Sequence, residues 1–239
     1  MIEIKGLKKT LDGTVILNGI DLVIEKNKTT VVIGESGCGK TVLLKHIIGF
    51  FKPDEGEIFC NGERIDTLSW KGWNALRRKM TMVFQNSALF DWLSVYDNVA
   101  LPLREQYALP EEEVAEQVEE KLGMVGMSGQ NKKMPAELSF GMQKRVSLAR
   151  AMILNPEYIL YDEPTTALDP IIANNIIELF STFKKVYKTT SMIVSHDIGI
   201  VFKIADKVAL MKNGSIIFQG SVDDLGKIEN SYINKFISR

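Results

Sequence analysis

Residues 29–47 read TTVVIGESGCGKTVLLKHI, and this stretch decides the fold. A short apolar strand is predicted at residues 29–33, a loop at 34–39 and a buried helix at 41–51. The segment fits the pattern G-x-x-x-x-G-K-[ST] in the context that the pattern requires, with a strand before it and a helix after it. A chance glycine-rich turn would explain the glycines but not the full match, so the stretch predicts a phosphate-binding loop.

The residue types of this loop suit phosphate chemistry. Glycines let the backbone curl so that several N–H groups point into one concavity, and the following helix adds the positive end of its dipole. Lys40 is expected to reach the terminal phosphates, and the hydroxyl group of Thr41 can ligate Mg²⁺. The predicted nucleotide contacts are Gly34, Ser36, Gly37, Cys38, Gly39, Lys40 and Thr41. The loop predicts a nucleoside triphosphate but does not specify which one.

A second motif is an apolar strand that ends in two carboxylates, YILYDE at residues 158–163. An acid at the C-terminal end of a parallel strand lies where ligands bind in open α/β sheets. Asp162 is predicted to hold Mg²⁺, directly or through water, and Glu163 to polarise the attacking water. Alone, the pair would suit a helix cap or a turn before Pro164. Beside a phosphate loop we prefer the functional interpretation.

The composition excludes several classes of protein. The chain has 239 residues, of which 45% are hydrophobic and 25% charged, and its formal net charge is −1. There is no basic excess to neutralise a nucleic-acid backbone, so no nucleic-acid partner is expected. Two cysteines and two histidines provide neither a disulfide framework nor a multi-histidine zinc site. No segment reaches the ~18 uninterrupted apolar residues of a spanning helix, so any action at a membrane is expected to need a partner.

Residues 138–143 read LSFGMQ and precede a predicted helix at 144–153. They resemble the LSGGQ signature of ATP-binding-cassette (ABC) ATPases, and the other motifs of that family follow in order over about residues 2–225. The resemblance identifies Gln85 as the Q-loop glutamine, residues 167–169 as the D-loop and His196 as the switch histidine. A lone histidine would otherwise be interpreted as structural. By the resemblance, Lys40, Gln85, Glu163 and His196 are catalytic, Thr41, Gln85 and Asp162 contact the metal, and Leu11, Ser139, Gly141 and Asp169 join the loop in contacting nucleotide.

The resemblance also implies a mechanism and an assembly. ATPases of this family form head-to-tail homodimers. Each ATP would be held by Lys40 and Thr41 of one subunit and by Ser139 and Gly141 of the other. Closure around two ATP molecules would be the power stroke, and hydrolysis would reopen the pair.

This sequence departs from the family pattern at three positions. Phe140 replaces the first glycine of LSGGQ, and Met142 stands in place of the glutamine. Leu11 occupies the position where many cassettes carry an aromatic residue that stacks on adenine. A leucine offers apolar contact without π-stacking, so weak base selectivity is expected.

Three strings, at residues 39–57, 85–104 and 162–171, resemble the ATPase subunit of MCE-type phospholipid transport systems. That resemblance implies a permease, an MCE-domain protein in the same complex and a peripheral position on the cytoplasmic face of the bacterial inner membrane. The permease is expected to dock near residues 86–99, where five apolar side chains (Leu89, Phe90, Trp92, Leu93 and Val95) would form a groove; ordinary core packing is the alternative. An importer of amino acids or another small solute, and a cassette without a transport function, remain as alternatives.

The predicted fold class is therefore α/β: a phosphate-loop cassette with a mainly parallel core sheet, an antiparallel β subdomain and an inserted helical subdomain. We predict one domain over residues 1–239. Residues 1–76 and 157–239 would form the core with the β subdomain, and about 77–156 the helical subdomain. A further helix-like stretch covers residues 230–237.

Overall fold

The computed structural model describes residues 1–225 and Lys227. It contains ten strands and eight α-helices in that range, and the predicted α/β fold class is confirmed. The strands are β1 (Ile2–Leu11), β2 (Thr14–Ile24), β3 (Thr29–Gly34), β4 (Glu55–Cys60), β5 (Glu63–Arg64), β6 (Met80–Val83), β7 (Tyr158–Asp162), β8 (Thr190–Ser195), β9 (Lys207–Lys212) and β10 (Ser215–Gly220). The helices are α1 (Lys40–Ile47), α2 (Trp70–Arg77), α3 (Val95–Gln106), α4 (Glu111–Met124), α5 (Phe140–Met152), α6 (Pro170–Tyr187), α7 (Ile198–Ile204) and α8 (Val222–Leu225).

The core sheet has six strands in the order β10-β9-β3-β8-β7-β6. All neighbouring pairs from β9 to β6 are parallel, and β10 pairs antiparallel with β9. Every residue of β3, β7 and β8 is buried. Continuous apolar strands of this kind belong to parallel sheets that are covered on both faces. Because β3, β8 and β7 are adjacent, the loops that follow them meet at one edge of the sheet.

A second, antiparallel sheet has the order β2-β1-β4-β5. Its inward side chains pack together with Leu43, Leu44 and Ile47 of α1 against one face of the core sheet. Helix α1 therefore lies between the two sheets. It ends at Ile47, earlier than predicted, and Gly49 follows with a φ of +73°. Such a left-handed glycine commonly ends a helix.

Helices α3, α4 and α5 pack together on the other side of the molecule, in a hydrophobic core that they share with α6, α7 and the second face of the core sheet. One strand of the range 77–156 is not part of this helical region. Strand β6 pairs in parallel with β7, so it belongs to the core sheet. The packed helices of this region begin at Val95, with α3.

Two further sequence predictions concern the helix that follows the signature motif and the helix at residues 230–237. Helix α5 begins at Phe140, four residues before the predicted start, since the side chain of Ser139 caps it by accepting a hydrogen bond from the main-chain N–H of Met142 (3.3 Å). The helix predicted at residues 230–237 lies outside the described residues. Within the described part of the chain, the helices are too short or too polar to cross a membrane.

Candidate active site

The loop between β3 and α1 is closed by its own lysine. The side chain of Lys40 is 5% exposed, and its Nζ atom donates hydrogen bonds to the carbonyl oxygens of Gly34 (2.8 Å) and Glu35 (3.1 Å). Gly39 has a φ of +107°, and a Cβ atom there would come within 2.9 Å of the carbonyl oxygen of Ile16. Only glycine fits this position without strain. The loop thus presents its main chain, with the N-terminus of α1, to one concavity.

The acidic strand β7 ends directly beside this loop. The Thr41 hydroxyl donates a hydrogen bond to Oδ1 of Asp162 (2.9 Å). Burial raises the pKa of Asp162, and the hydrogen bond from Thr41 opposes that rise. A hydroxyl group and a carboxylate, both oxygen donors, therefore face each other at the first turn of α1.

Glu163 is the most constrained side chain of the site. Its φ is +45°, in the left-handed region, and its main-chain N–H donates to the carbonyl oxygen of Val194 on β8. The hydroxyl of Thr166 and the main-chain N–H of His196 both point to Oε2, at 3.2 and 3.3 Å. Nδ1 of His196 lies 2.8 Å from the same oxygen, and Nζ of Lys40 lies 3.4 Å from Oε1. The carboxylate is buried, whereas the His196 side chain is 50% exposed and open to a ligand.

A cavity of about 390 Å³ brings most of the predicted residues together. Its lining comes from β2, from the phosphate loop with the start of α1, and from the loops that follow β6, β7 and β8. The residues are Ile16, Ser36, Gly37, Gly39, Lys40, Thr41, Val42, Gln85, Glu163, Thr166 and His196. A neighbouring cavity of about 330 Å³ includes Cys38 and the segment Thr14–Ile16. Together, the two cavities extend from the phosphate loop to the turn between β9 and β10.

Five predicted nucleotide contacts lie outside the lining of both cavities: Gly34, whose carbonyl oxygen accepts the hydrogen bond from Lys40, and Leu11, Ser139, Gly141 and Asp169. Ser139 caps α5, and Asp169 caps α6 by accepting hydrogen bonds from the main-chain N–H groups of Ile171 and Ile172 (both 3.1 Å). Gly141 packs against Ile172, where a Cβ atom would come within 2.8 Å of that side chain. The signature and the D-loop are therefore neighbours of each other rather than of the cavity.

Leu11 is the last of these residues. It lies opposite Thr14 in the β1–β2 hairpin, because the turn between the strands falls at residues 12–13. The apolar side chain that the hairpin places in the cavity is Ile16 instead. Sequence reasoning missed Ile16, and it missed Thr166, whose only signal was its position three residues after Glu163.

The segment after Gln85 combines surface and core. Trp92 is 75% exposed and Phe90 36% exposed, and their rings lie 5.2 Å apart. A groove of about 480 Å³ lies beside them; Phe90, Leu101 and Pro102 contribute apolar lining, and Arg77, Arg78 and Arg150 are also among the lining residues. Val95 is fully buried, so for that residue the core alternative is correct and the predicted groove role is wrong.

The fold and the cavity together define a nucleotide-binding α/β protein of the phosphate-loop class. The model of the ABC transporter family matches residues 17–166. The chain therefore belongs to the ABC transporter family, and it is an ATPase that forms the ATP-binding subunit of a transporter.

Curated relatives match the chain over nearly its full length. It is 39% identical to the intermembrane phospholipid transport system ATP-binding protein MlaF of Haemophilus influenzae, over 99% of this chain and 90% of that protein. It is 37% identical to the methionine import ATP-binding protein MetN of Campylobacter jejuni, over 99% of this chain and 75% of that protein.

Solved structures give the same fold. The ATP-binding cassette MJ0796, in a dimeric post-hydrolysis state bound to ADP and Pi, superposes with a TM-score of 0.85 at 30% identity, covering 93% of this chain and 99% of that one. The cassette cbiO1 of Clostridium perfringens, part of the complex cbiONQ, superposes with a TM-score of 0.87 at 34% identity, covering 100% of this chain and 94% of that one.

Proposed function

We propose that this ATPase powers the movement of phospholipids between bacterial membranes. The observation that carries the proposal is the 39% identity to an intermembrane phospholipid transport ATP-binding protein over 99% of the chain, on a site whose residues converge in one cavity. The cavity explains ATP binding and hydrolysis. The cargo is inferred from the relatives and from the resemblance of the three sequence strings.

Each side chain of the cavity has a proposed role in hydrolysis. Lys40 leaves its main-chain carbonyl partners to bind the β- and γ-phosphates, a charge-assisted interaction. Glu163 accepts the proton of the attacking water, since its carboxylate is held in one orientation by its neighbours. His196 donates to the γ-phosphate from its exposed edge, and Gln85 positions the water and the metal.

The donor set of the site suits Mg²⁺. The hydroxyl of Thr41 and the carboxylate of Asp162 are hard oxygen ligands 2.9 Å apart, and Gln85 lines the same cavity. Mg²⁺ is usually bound by one or two protein groups together with substrate phosphates, so these residues would be sufficient to hold it. When bound, Mg²⁺ would neutralise charge that develops on the β- and γ-phosphates.

The site is proposed to be completed by a second copy of the chain. Ser139 and Gly141 lie at the start of α5, outside the cavity of their own subunit; Ser139 is exposed, and Gly141 is buried against Ile172. In a head-to-tail homodimer they would contact the γ-phosphate of the ATP bound by the partner. Asp169, at the start of α6 beside Gly141, would lie at the same interface.

The groove next to Phe90 and Trp92 is proposed to receive a helix of the membrane permease. Aromatic residues and arginines are enriched in protein interfaces. The Trp92 side chain is 75% exposed, and its ring lies beside that of Phe90, which lines the groove. The permease would hold the ATPase at the cytoplasmic face of the inner membrane, in a complex that includes an MCE-domain protein.

A second candidate is the ATPase of a small-solute importer. The 37% identity to a methionine import ATP-binding protein favours it, because the difference from the phospholipid relative is small. The two candidate functions use the same ATPase and differ in the membrane complex to which it binds.

The decisive experiment is affinity purification of the tagged chain from detergent-solubilised native membranes, with mass spectrometry of the proteins recovered. A permease together with an MCE-domain protein is the expected result. A permease together with a solute-binding protein would replace phospholipid transport by import. Glu163→Gln protein purified in the presence of ATP should retain more of the same partners, and a tagged unrelated cytosolic protein is the control for non-specific recovery.

A further inference from the structure

Lys144 is a buried lysine in the first part of α5, one helical turn after Phe140. It is 1% exposed. Its Nζ atom donates hydrogen bonds to the carbonyl oxygens of Phe84 (3.3 Å) and Gln85, and it lies 5.4 Å from the centre of the Phe140 ring. Burial lowers the pKa of Lys144 to about 8, while the carboxylate of Asp162 opposes the shift. An ammonium group is costly to bury, so these contacts must compensate for lost hydration.

A second cation of the same helix holds the next part of the loop. Arg150 donates hydrogen bonds to the carbonyl oxygens of Ser87 (3.0 Å) and Ala88 (2.7 Å). Both of these residues have a positive φ, +58° and +49°. Non-glycine residues are strained in this conformation, so the loop needs external support. Helix α5 supplies it at four carbonyl groups between residues 84 and 88.

The two ends of this connection belong to different ATP sites. Gln85 lines the cavity of its own subunit. The residues just before Lys144 on α5 are Ser139, Phe140 and Gly141, which under the proposed function contact the ATP held by the second subunit. The inference therefore rests on that function. Because the buried Lys144 side chain contacts both the Q-loop and Phe140 of the signature, movement of the Q-loop is coupled to movement of the signature.

We propose that Lys144 is a positioning residue that fixes the start of α5 to the Gln85 loop, so that nucleotide in one composite site sets the geometry of the other. Phe140 has a place in this arrangement. Its ring covers the lysine where the glycine of the common signature would leave it uncovered, and cation–π contact stabilises the ammonium group.

The test compares Lys144→Met with Lys144→Arg and with Lys121→Met in otherwise intact protein. Methionine keeps the volume of the side chain and removes the donor. Lys121 is the matched control: it is also a buried lysine of the helical region, 3% exposed, but it donates to Tyr187 and Glu120, away from the Q-loop. The measurements are the ATP dependence of hydrolysis, nucleotide affinity in dilute protein and the thermal midpoint of unfolding.

We expect wild-type hydrolysis to show a Hill coefficient above 1. Lys144→Met should lower kcat about tenfold, the equivalent of one charge-assisted hydrogen bond, and bring the Hill coefficient to 1 while nucleotide affinity is kept. Lys144→Arg should restore the Hill coefficient. Lys121→Met should keep it even if the protein melts earlier.

Two results would overturn the proposal. The first is that Lys144→Met retains the wild-type Hill coefficient. The second is that the loss of kcat follows the loss of thermal stability in the same way in Lys144→Met and in Lys121→Met, which would give Lys144 a structural role only. Failure of the proposed function would give a different result. The wild-type protein would then have a Hill coefficient of 1, and Glu163→Gln would not form a dimer with ATP. That result would remove the basis of the proposed function and of the proposed role of Lys144.

Discussion

Nδ1 of His196 lies 2.8 Å from Oε2 of Glu163, across the gap between the ends of β8 and β7. The histidine therefore presents its other edge to the cavity, while the carboxylate is kept in a single orientation. Lys40 faces the second carboxylate oxygen at 3.4 Å. These contacts bring together the proposed base (Glu163), the proposed hydrogen-bond donor (His196) and the proposed phosphate-binding cation (Lys40).

Glu163→Gln should separate binding from hydrolysis. Glutamine has nearly the same shape and keeps a hydrogen-bond acceptor for His196 and Thr166, but it cannot take a proton from water. We expect hydrolysis to fall by about 100-fold or more, with ATP binding retained and dimer accumulating. Phosphate release and light scattering after gel filtration measure the two effects. Glu157→Gln, at a half-exposed glutamate just before β7, is the control, and unchanged turnover in Glu163→Gln would exclude the base role.

Lys40→Met should weaken nucleotide binding. The substitution keeps much of the buried volume and removes the ammonium group that is predicted to meet the phosphates. Loss of a charge-assisted contact worth about 1.5–3 kcal/mol corresponds to roughly 10- to 150-fold in affinity. Titration with a fluorescent ATP analogue measures it, and Lys71→Met, on the exposed surface of α2, should bind like the wild type. Wild-type affinity in Lys40→Met would show that the loop has been assigned incorrectly.

The sequence predicts the parallel core well because β3, β7, β8 and β9 each contain an apolar run of three or more residues. Strand β3 begins at the predicted residue and extends one residue further than predicted, to Gly34. The cavity follows from this order: once β3, β8 and β7 are neighbours, the residues after them must meet.

Other features depend on contacts that a local pattern does not contain. The start of α5 was misplaced because the hydroxyl of Ser139, a residue that also suits loops, caps the helix. The contact of Lys144 with the Gln85 loop joins residues about sixty positions apart, and no local sequence pattern predicts it. Leu11 aligns with a family position, but the hairpin places Ile16 in the cavity.

Trp92→Ala should weaken recovery of the permease. The indole ring is 75% exposed beside the groove, and loss of an aromatic anchor at an interface commonly costs about 2 kcal/mol or more, which is near 30-fold in affinity. Trp70, on α2, is equally exposed, so Trp70→Ala is the matched control and should be recovered with the permease as the wild type is. Quantitative mass spectrometry after affinity purification gives the ratio. Equal loss in both variants would mean that the groove is not the docking surface.

His46 should make the fold sensitive to acid. It is 1% exposed on α1, its Nδ1 atom contacts the carbonyl oxygen of Val42 at 2.7 Å, and its Nε2 atom has no hydrogen-bond partner among the described residues. Burial lowers its pKa below the usual value of 6.5; the contact with Val42 acts in the opposite direction. The unfolded chain therefore binds this proton more readily than the folded protein does.

The sign of the effect follows from that difference. The contribution of neutral His46 to stability is complete above about pH 6.5 and is lost as the pH falls toward the folded-state pKa, with a slope of at most about 1.4 kcal/mol per pH unit for one proton. Urea unfolding at a series of pH values from 5 to 8 measures it. His46→Gln, which removes the titrating ring, should flatten this part of the profile. A profile that His46→Gln leaves unchanged would mean that other groups cause the acid sensitivity.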